Sequence, residues 1–172
     1  MVLIVTPLGR LTDVIAERAP SHLITLLSPA DLNLVPALSS IPADRRLRIG
    51  VHDIETPQAG LTAPDAPMVE RVLAFALRWD ETQPMVVHCW AGISRSTATA
   101  FAIACDRNPH VDELAIAMDI RRASPSALPN RRIVALADDI LGRQGRMLEA
   151  VEAMGHNGYA VEGAPFDIAV RR

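Results

Sequence analysis

The chain has 172 residues, a hydrophobic content of 49% and a formal net charge of −3. It is long enough to bury a core without disulfide or metal support, so we expect a single domain over residues 1–172. The acidic balance excludes a nucleic-acid binder that depends on overall positive charge, and all 17 basic residues are arginine.

The periodicity of apolar residues predicts strands early in the chain and helices late. The predicted strands are Val2–Val5, His22–Leu27, Arg46–Val51 and Met85–His88. The predicted helices are Leu11–Arg18, Met68–Trp79, Ser96–Asp106, Val111–Ala123 and Arg131–Met154, the last with a break near Gly142 or Gly145. Residues 28–44 and 56–67 are proline-rich loops, and residues 155–172 are expected to form a surface tail. This order predicts an α/β fold with a short, mostly parallel central sheet flanked by helices and a C-terminal helical cluster.

Two cysteines, Cys89 and Cys105, are too few for a disulfide framework, which favours a reducing compartment; we expect a cytoplasmic protein. The five histidines lack the spacing of metal ligands, so we expect no metal and no cofactor. No apolar run approaches a membrane span, and the first residues lack a signal peptide's basic segment, so no membrane partner is expected. The sequence does not indicate an oligomeric state.

The most informative motif runs from His88 to Ser96 and reads H-C-x-x-G-x-x-R-S between a predicted strand and a predicted helix. Free backbone N–H groups and the positive end of the helix dipole converge at such a loop. Both a thiolate and a phosphate are anions that this loop can bind. Arg95 adds a planar, permanently charged group that contacts two phosphate oxygens at once. The alternative reading makes Cys89 a small, inert residue at the end of a buried strand.

The motif resembles the CX5R signature loop, or P-loop, of the cysteine-dependent protein tyrosine phosphatases, in their compact dual-specificity-like branch. The resemblance implies a phosphatase-like fold and a hydrolase that forms a phosphocysteine intermediate. It makes Cys89 the nucleophile, Arg95 the phosphate clamp, Ser96 a hydrogen-bond donor to the sulfur, and His88 a residue that tunes Cys89 through hydrogen bonds within the loop. Gly92 allows the tight curl of the backbone. The implied phosphate-binding residues are Trp90, Ala91, Gly92, Ile93, Ser94 and Arg95.

The compact phosphatases carry a general-acid aspartate some thirty-odd residues before the cysteine, just after a strand. Asp53 precedes Cys89 by 36 positions and heads a proline-rich loop, so the resemblance indicates Asp53 as the general acid and base. A turn-capping role for Asp53 is the alternative. Glu55 is a possible substitute, and Asp65 is a weaker candidate because it lies where the next helix should be capped.

Arginines 121 and 122, followed by Pro129 and Asn130, match the R-x-x…P-N pattern of the dual-specificity-like phosphatases, in which the asparagine bonds back to the signature loop. Capping of the helix that follows is an alternative role for Asn130, and the two are compatible. Here Arg131–Arg132 replaces the usual small and aromatic pair. The resemblance covers Arg46 to Leu141.

The sequence therefore predicts a hydrolase, a tyrosine-phosphatase-like protein phosphatase, acting on a phosphorylated protein or a small-molecule phosphate ester. Positions 90, 91 and 93 of the loop are uncharged, which disfavours a polyphosphorylated lipid and favours phosphotyrosine or a small aryl phosphate. Two alternatives stay open: a rhodanese-like sulfurtransferase, which usually has a shorter cysteine loop, and a non-catalytic phosphate-binding pseudophosphatase.

Overall fold

The computed structural model describes residues 2–155, 158 and 160–171. The strands are β1 (Val2–Pro7), β2 (His22–Leu27), β3 (Arg46–Gly50), β4 (Met85–Cys89) and β5 (Phe166–Ala169). The α-helices are α1 (Leu11–Arg18), α2 (Ala66–Leu77), α3 (Arg95–Arg107), α4 (Glu113–Ala123), α5 (Arg131–Ile140) and α6 (Arg146–Met154). Short 3-10 turns cover Leu8–Arg10, Pro29–Leu34 and Ala43–Arg45.

The five strands form one sheet in the order β3-β2-β4-β1-β5. The first four strands are mutually parallel where they pair, and β5 pairs antiparallel with β1. Strand β4 lies in the centre, between β1 and β2, and its residues are buried on both faces, as expected for an inner parallel strand. The predicted α/β fold is confirmed, and the carboxyl ends of β1 to β4 share one edge, where open α/β sheets bind ligands.

Alternation along the strands divides the core between the two faces of the sheet. On one face, Ile4 and Val86 pack with Leu11, Val14 and Ile15 of α1. On the other face, α2 to α6 cover a larger cluster that includes Leu3, Val5, Met85, Val87 and Cys89. Cys89 therefore lies on the face covered by α3, whereas His88 points to the face covered by α1.

The structure corrects the prediction of a surface tail over residues 155–172. Residues 166–169 form β5, and Phe166, Ile168 and Val170 are buried. The alternation of buried and exposed residues in β5 is that of an edge strand with one covered face. Residues 156, 157, 159 and 172 of the predicted tail lie outside the described residues.

The remaining differences are at element ends. The long helix predicted over Arg131–Met154 is two helices, with the expected break at Gly142 and Gly145, which both have positive φ. Helix α2 begins at Ala66, two residues earlier than expected. A proline is tolerated in its first turn because an N–H group at that position would have no hydrogen-bond partner within the helix. Helix α4 begins at Glu113, where the side chain of Asp112 accepts a hydrogen bond from Leu114 N.

Candidate active site

The loop between β4 and α3 is held from outside through its carbonyl groups. Trp90 O accepts a hydrogen bond from Leu8 N (3.1 Å), and Ala91 O accepts one from Gly163 N (2.8 Å). Ile93 O accepts from Leu128 N (2.9 Å), and Ser94 O accepts from Asn130 N (3.3 Å). Three separate segments thus surround the loop: the end of β1, the segment before β5, and the connection between α4 and α5.

This arrangement fixes the direction of the loop amides. A planar trans peptide places the carbonyl of one residue and the N–H of the next on opposite sides. The N–H groups of residues 91, 92, 94 and 95 therefore point away from the three surrounding segments, and none of them donates to another described residue. Free N–H groups that converge at a helix N-terminus form a site for an oxyanion.

Gly92 is required by the curvature of the loop. Its φ is +68°, and a Cβ at this position would lie 2.7 Å from Pro7 N in the backbone of β1. Gly163 approaches the loop closely from the other side, where a Cβ would lie 3.2 Å from Gly92 O. The backbone at these two positions leaves no space for a side chain without movement of the loop.

Cys89 ends β4 directly beneath this loop. It is 1% exposed, and its Sγ lies 3.1 Å from Oγ of Ser96 in the first turn of α3. Cys105, near the other end of α3, is also buried and free, and burial raises the pKa of its thiol, so the two cysteines lie in very different surroundings.

Arg95 is the first residue of α3, and its guanidinium is buried against the end of β3. Its Nη1 donates to Val51 O at 2.7 Å, and its Nε lies 3.7 Å from Oδ2 of Asp53. Arg95 is only 5% exposed. Two neighbours that lie at the end of β3 therefore set the orientation of the planar group beside the loop.

Asp53 lies where the loop after β3 meets the signature loop. Its Oδ1 accepts hydrogen bonds from Ser94 Oγ at 2.7 Å and from Asn130 Nδ2 at 2.8 Å. Two hydrogen bonds between His52 and Thr62 close the base of its loop: His52 N donates to Thr62 O, and Thr62 N donates to His52 Nδ1. The side chain of Asp53 remains 36% exposed, so the sequence-predicted acid is both fixed in place and open to solvent.

The two other acid candidates have structural partners. Asp65 is the N-cap of α2 and accepts from Met68 N at 2.9 Å, as the sequence alternative predicted. Glu55 accepts from Arg131 N at 3.2 Å, at the start of α5. Glu55 is therefore near the site but contacts the end of a helix, where a carboxylate stabilises the helix dipole.

Asn130 has both of the roles weighed from the sequence. Its Oδ1 accepts from Ile133 N at 3.1 Å, which caps α5. Its Nδ2 bonds to Asp53, and its backbone N–H bonds to Ser94 of the signature loop. Because Asn130 is 2% exposed, its amide has little freedom to leave these partners.

His88 lies on the opposite face of β4 from Cys89. Its Nε2 lies 2.8 Å from Oγ1 of Thr25 on β2. The pKa of His88 is lowered to about 4, mainly by burial and to a smaller extent by the positive charge of Arg95, while a hydrogen bond with the backbone of Cys89 opposes both. Nδ1 has no hydrogen bond of full geometry among the described residues. The hydrogen bond of His88 to Thr25 thus ties it to a neighbouring strand, and its influence on Cys89 stays a prediction.

The sequence analysis missed three contributors to the site: Thr25, which bonds His88; Gly163, which bonds Ala91; and Arg121, which supports the connection that carries Asn130. Thr25 and Gly163 act through contacts between residues far apart in the chain, whereas three of the four acceptors of Arg121 lie within six positions of it. The signal available for Arg121 was its place in the R-x-x…P-N pattern.

In the described part of the chain, no group of three or more His, Cys, Asp or Glu residues is placed to hold a metal ion. None of the described helices combines the length and apolar character needed to cross a membrane.

Comparison with known proteins gives agreement in structure only. A scan against protein-family models and a search of curated proteins found no match. The crystal structure of DUSP15 matches with a TM-score of 0.63 and 20% identity, over 88% of this chain and 89% of that one. Human tyrosine phosphatase-like serine/threonine/tyrosine-interacting protein matches with a TM-score of 0.61 and 18% identity, over 83% and 92%. PTPMT1, solved in complex with PI(5)P, matches with a TM-score of 0.59 and 15% identity, over 80% and 87%. The resemblance predicted from the signature loop is confirmed at the level of the fold.

Proposed function

We propose that this chain, which has the fold of the dual-specificity phosphatases, is a phosphomonoester hydrolase that works through a phosphocysteine intermediate. The observation that carries the proposal is the outward bonding of four loop carbonyls around Cys89. It leaves amides 91, 92, 94 and 95 to stabilise the equatorial oxygens of a transferring phosphoryl group.

In the first step the Cys89 thiolate attacks phosphorus, and the ester P–O bond breaks as the S–P bond forms. Asp53, protonated, gives its proton to the departing oxygen, while Arg95 and the loop amides stabilise the charge on the phosphoryl oxygens. The side chain of Asp53 is 36% exposed, so a leaving group that enters from solvent can reach it.

In the second step a water molecule attacks phosphorus, Asp53 takes the proton of that water, and the S–P bond breaks. Inorganic phosphate leaves and the thiolate is restored. Ser96 Oγ, 3.1 Å from the sulfur, donates a hydrogen bond that stabilises the departing thiolate. Every role in this cycle is filled by residues of this chain, which favours a working enzyme over a pseudophosphatase.

The surroundings of the loop favour phosphotyrosine or another aryl phosphate. The sulfur is buried, so the ester must reach inward, and a phenyl ring holds its phosphate further from a peptide backbone than a serine does. Trp90 within the loop and Leu128 beside it are 51% and 45% exposed and offer apolar surface to a ring. Arg132 donates to Pro64 O, and Arg131 pairs with Glu152. Both arginines are therefore engaged elsewhere, which disfavours a ligand with several phosphates.

The decisive test is hydrolysis of an activated aryl phosphate in EDTA by wild-type protein and by the matched variants Cys89→Ser and Cys105→Ser. We expect turnover by wild type and Cys105→Ser, and none by Cys89→Ser, which should fold normally. Residual activity of Cys89→Ser above about a tenth of wild type would exclude a covalent cysteine nucleophile.

Substrate class is tested with the same three proteins on a phosphotyrosine peptide, a phosphoserine peptide and PI(5)P in vesicles. We expect the phosphotyrosine peptide to give the highest kcat/KM. A preference for PI(5)P would show that the chain shares the ligand seen with PTPMT1 and would overturn the aryl assignment while leaving the mechanism in place.

A further inference from the structure

Arg121 is a buried cation without an acidic partner among the described residues. It lies near the end of α4, is 7% exposed, and contacts only main-chain carbonyl oxygens. Nη1 donates to Ser124 O (3.4 Å) and Pro125 O (2.5 Å), and Nη2 donates to Ala127 O (2.8 Å) and Gly155 O (2.5 Å). Burial of an unpaired charge is costly unless hydrogen bonds replace water. The four carbonyl acceptors therefore indicate that the fold provides a specific site for this guanidinium.

Three of the four carbonyls belong to the connection between α4 and α5, residues 124–130, which we call the 124–130 connection. The fourth, Gly155 O, follows α6. Arg121 thus joins the connection to two helices. The connection contains Pro125 and Pro129, which lack N–H groups, and its local backbone bonds are few: Ser124 N to Ile120 O and Ala127 N to Ser124 O.

The other end of the same connection is fastened to the candidate active site. Leu128 N bonds to Ile93 O, and Asn130 N bonds to Ser94 O. These two bonds turn the amides of Ser94 and Arg95 toward the oxyanion site. Asn130 Nδ2 then bonds to Asp53 at 2.8 Å. A displacement of the 124–130 connection would therefore change both the loop amides and the position of the acid.

We propose that Arg121 is a positioning residue for the phosphate site, holding the 124–130 connection so that Leu128 and Asn130 orient the signature loop and Asp53. The proposal rests on the proposed function and adds a residue that touches neither the substrate nor the reacting atoms. Lysine cannot replace it fully, because one ammonium group cannot reach acceptors on both sides of a planar fork.

The adjacent arginine offers a matched control. Arg122 is exposed and pairs with Asp119 on the same helix, so Arg122→Met removes the same charge without touching the connection. The test compares Arg121→Met, Arg121→Lys and Arg122→Met with wild type. The readouts are tungstate affinity by calorimetry and kcat for an alkyl phosphate relative to an activated aryl phosphate.

We expect Arg121→Met to lower tungstate affinity and to lower the alkyl-to-aryl ratio of kcat, each by roughly ten- to a hundredfold, because misplacement of catalytic groups by about 1 Å has effects of this size. Arg121→Lys should recover part of both, and Arg122→Met should match wild type. The kcat ratio does not depend on the fraction of folded protein, so a loss of stability alone would leave it unchanged.

A wild-type kcat ratio and tungstate affinity in Arg121→Met would overturn the positioning role, even if its Tm falls. If Arg121→Met does not fold, Arg121→Lys decides, and wild-type values in Arg121→Lys would contradict the proposal. If wild type hydrolyses neither ester, the proposed function fails, and the tungstate affinities of the same variants still test whether Arg121 shapes the oxyanion site.

Discussion

Asn130 and Asp53 are 77 residues apart in the chain and are joined by a hydrogen bond of 2.8 Å at the edge of the signature loop. The same carboxylate oxygen accepts a hydrogen bond from Ser94. The loop after β3, the signature loop and the start of α5 therefore meet at one atom, Oδ1 of Asp53. An acid that is placed by two other elements is positioned before any substrate binds, which lowers the cost of organising the site during the reaction.

Asp53→Asn should slow turnover most for substrates with poor leaving groups. An alkoxide needs a proton as it departs, whereas an activated aryl oxide needs little help. We expect kcat for an alkyl phosphate to fall by roughly a hundredfold or more, the usual contribution of general acid catalysis. Glu55→Gln is the control, since glutamine keeps an acceptor for Arg131 N. A larger loss in Glu55→Gln than in Asp53→Asn would transfer the acid role to Glu55.

Arg95→Lys should lose most activity although it keeps the positive charge. The lysine cannot bond to Val51 O and grip two phosphate oxygens in one plane. We expect kcat and tungstate affinity to fall together by at least about tenfold, because one hydrogen bond to a charged group contributes about 1.5–3 kcal/mol. Arg107→Lys, at the other end of α3, controls for a general effect on the helix. Retention of tungstate affinity in Arg95→Lys would remove Arg95 from the phosphate site.

Gly92→Ala should destabilise the protein and abolish oxyanion binding. Alanine disfavours a φ of +68°, and its Cβ would meet Pro7 N at 2.7 Å. Gly142→Ala is a matched control, because Gly142 has a φ of +64° but nothing within 4 Å of a new Cβ. Strain in this region costs about 1–3 kcal/mol, so both variants should lower the Tm, and Gly92→Ala should lower it more. Equal shifts, with tungstate binding intact in Gly92→Ala, would show that the loop tolerates a side chain.

The free energy of unfolding should depend on pH, because His88 is neutral in the folded protein at pH values where it is protonated in the unfolded chain. The pKa of His88 is about 4 in the folded protein against an ordinary value of 6.5, so the unfolded chain binds more protons between these values. Its contribution to stability is complete above pH 6.5 and is lost as the pH falls toward 4. From pH 7 to pH 5 the loss is about 2 kcal/mol.

Urea unfolding of wild type and of His88→Gln at pH 7 and pH 5 measures this loss. His88→Gln should lose about 2 kcal/mol less than wild type over this interval. His110→Gln, at an exposed position, should behave like wild type. The same pH dependence in all three proteins would place the titration elsewhere.

The sequence predicted the elements that have strong local patterns, together with the residues that meet at the site. Helix α1 and strand β2 have the predicted bounds. Cys89 and Ser96 are in contact, and the catalytic roles of the motif residues stay predictions. Asp53 and Asn130 were found because their distances along the chain follow the resemblance. The capping of α2 by Asp65 followed from residue type alone.

Strand β5 was missed because four residues next to a glycine-rich segment carry little local signal, and their pairing with β1 is decided by a partner more than 150 positions away. Arg121 was missed as a buried residue for a related reason. An arginine near the end of an amphipathic helix usually lies in water. Only the packing of α4 against α6 and the 124–130 connection supplies the carbonyls that make its burial possible.

The hydrogen bond from Gly163 N to Ala91 O also affects at what point during synthesis the signature loop reaches its final geometry. The ribosome releases β4, the signature loop and α3 long before residue 163 leaves the exit tunnel, since 72 residues separate the two partners. Until then, the Ala91 carbonyl has no partner to hold it outward, and the edge of β1 is unpaired. A nascent chain that already carries Cys89, Arg95 and Asp53 therefore lacks one of the hydrogen bonds that shape the proposed oxyanion site.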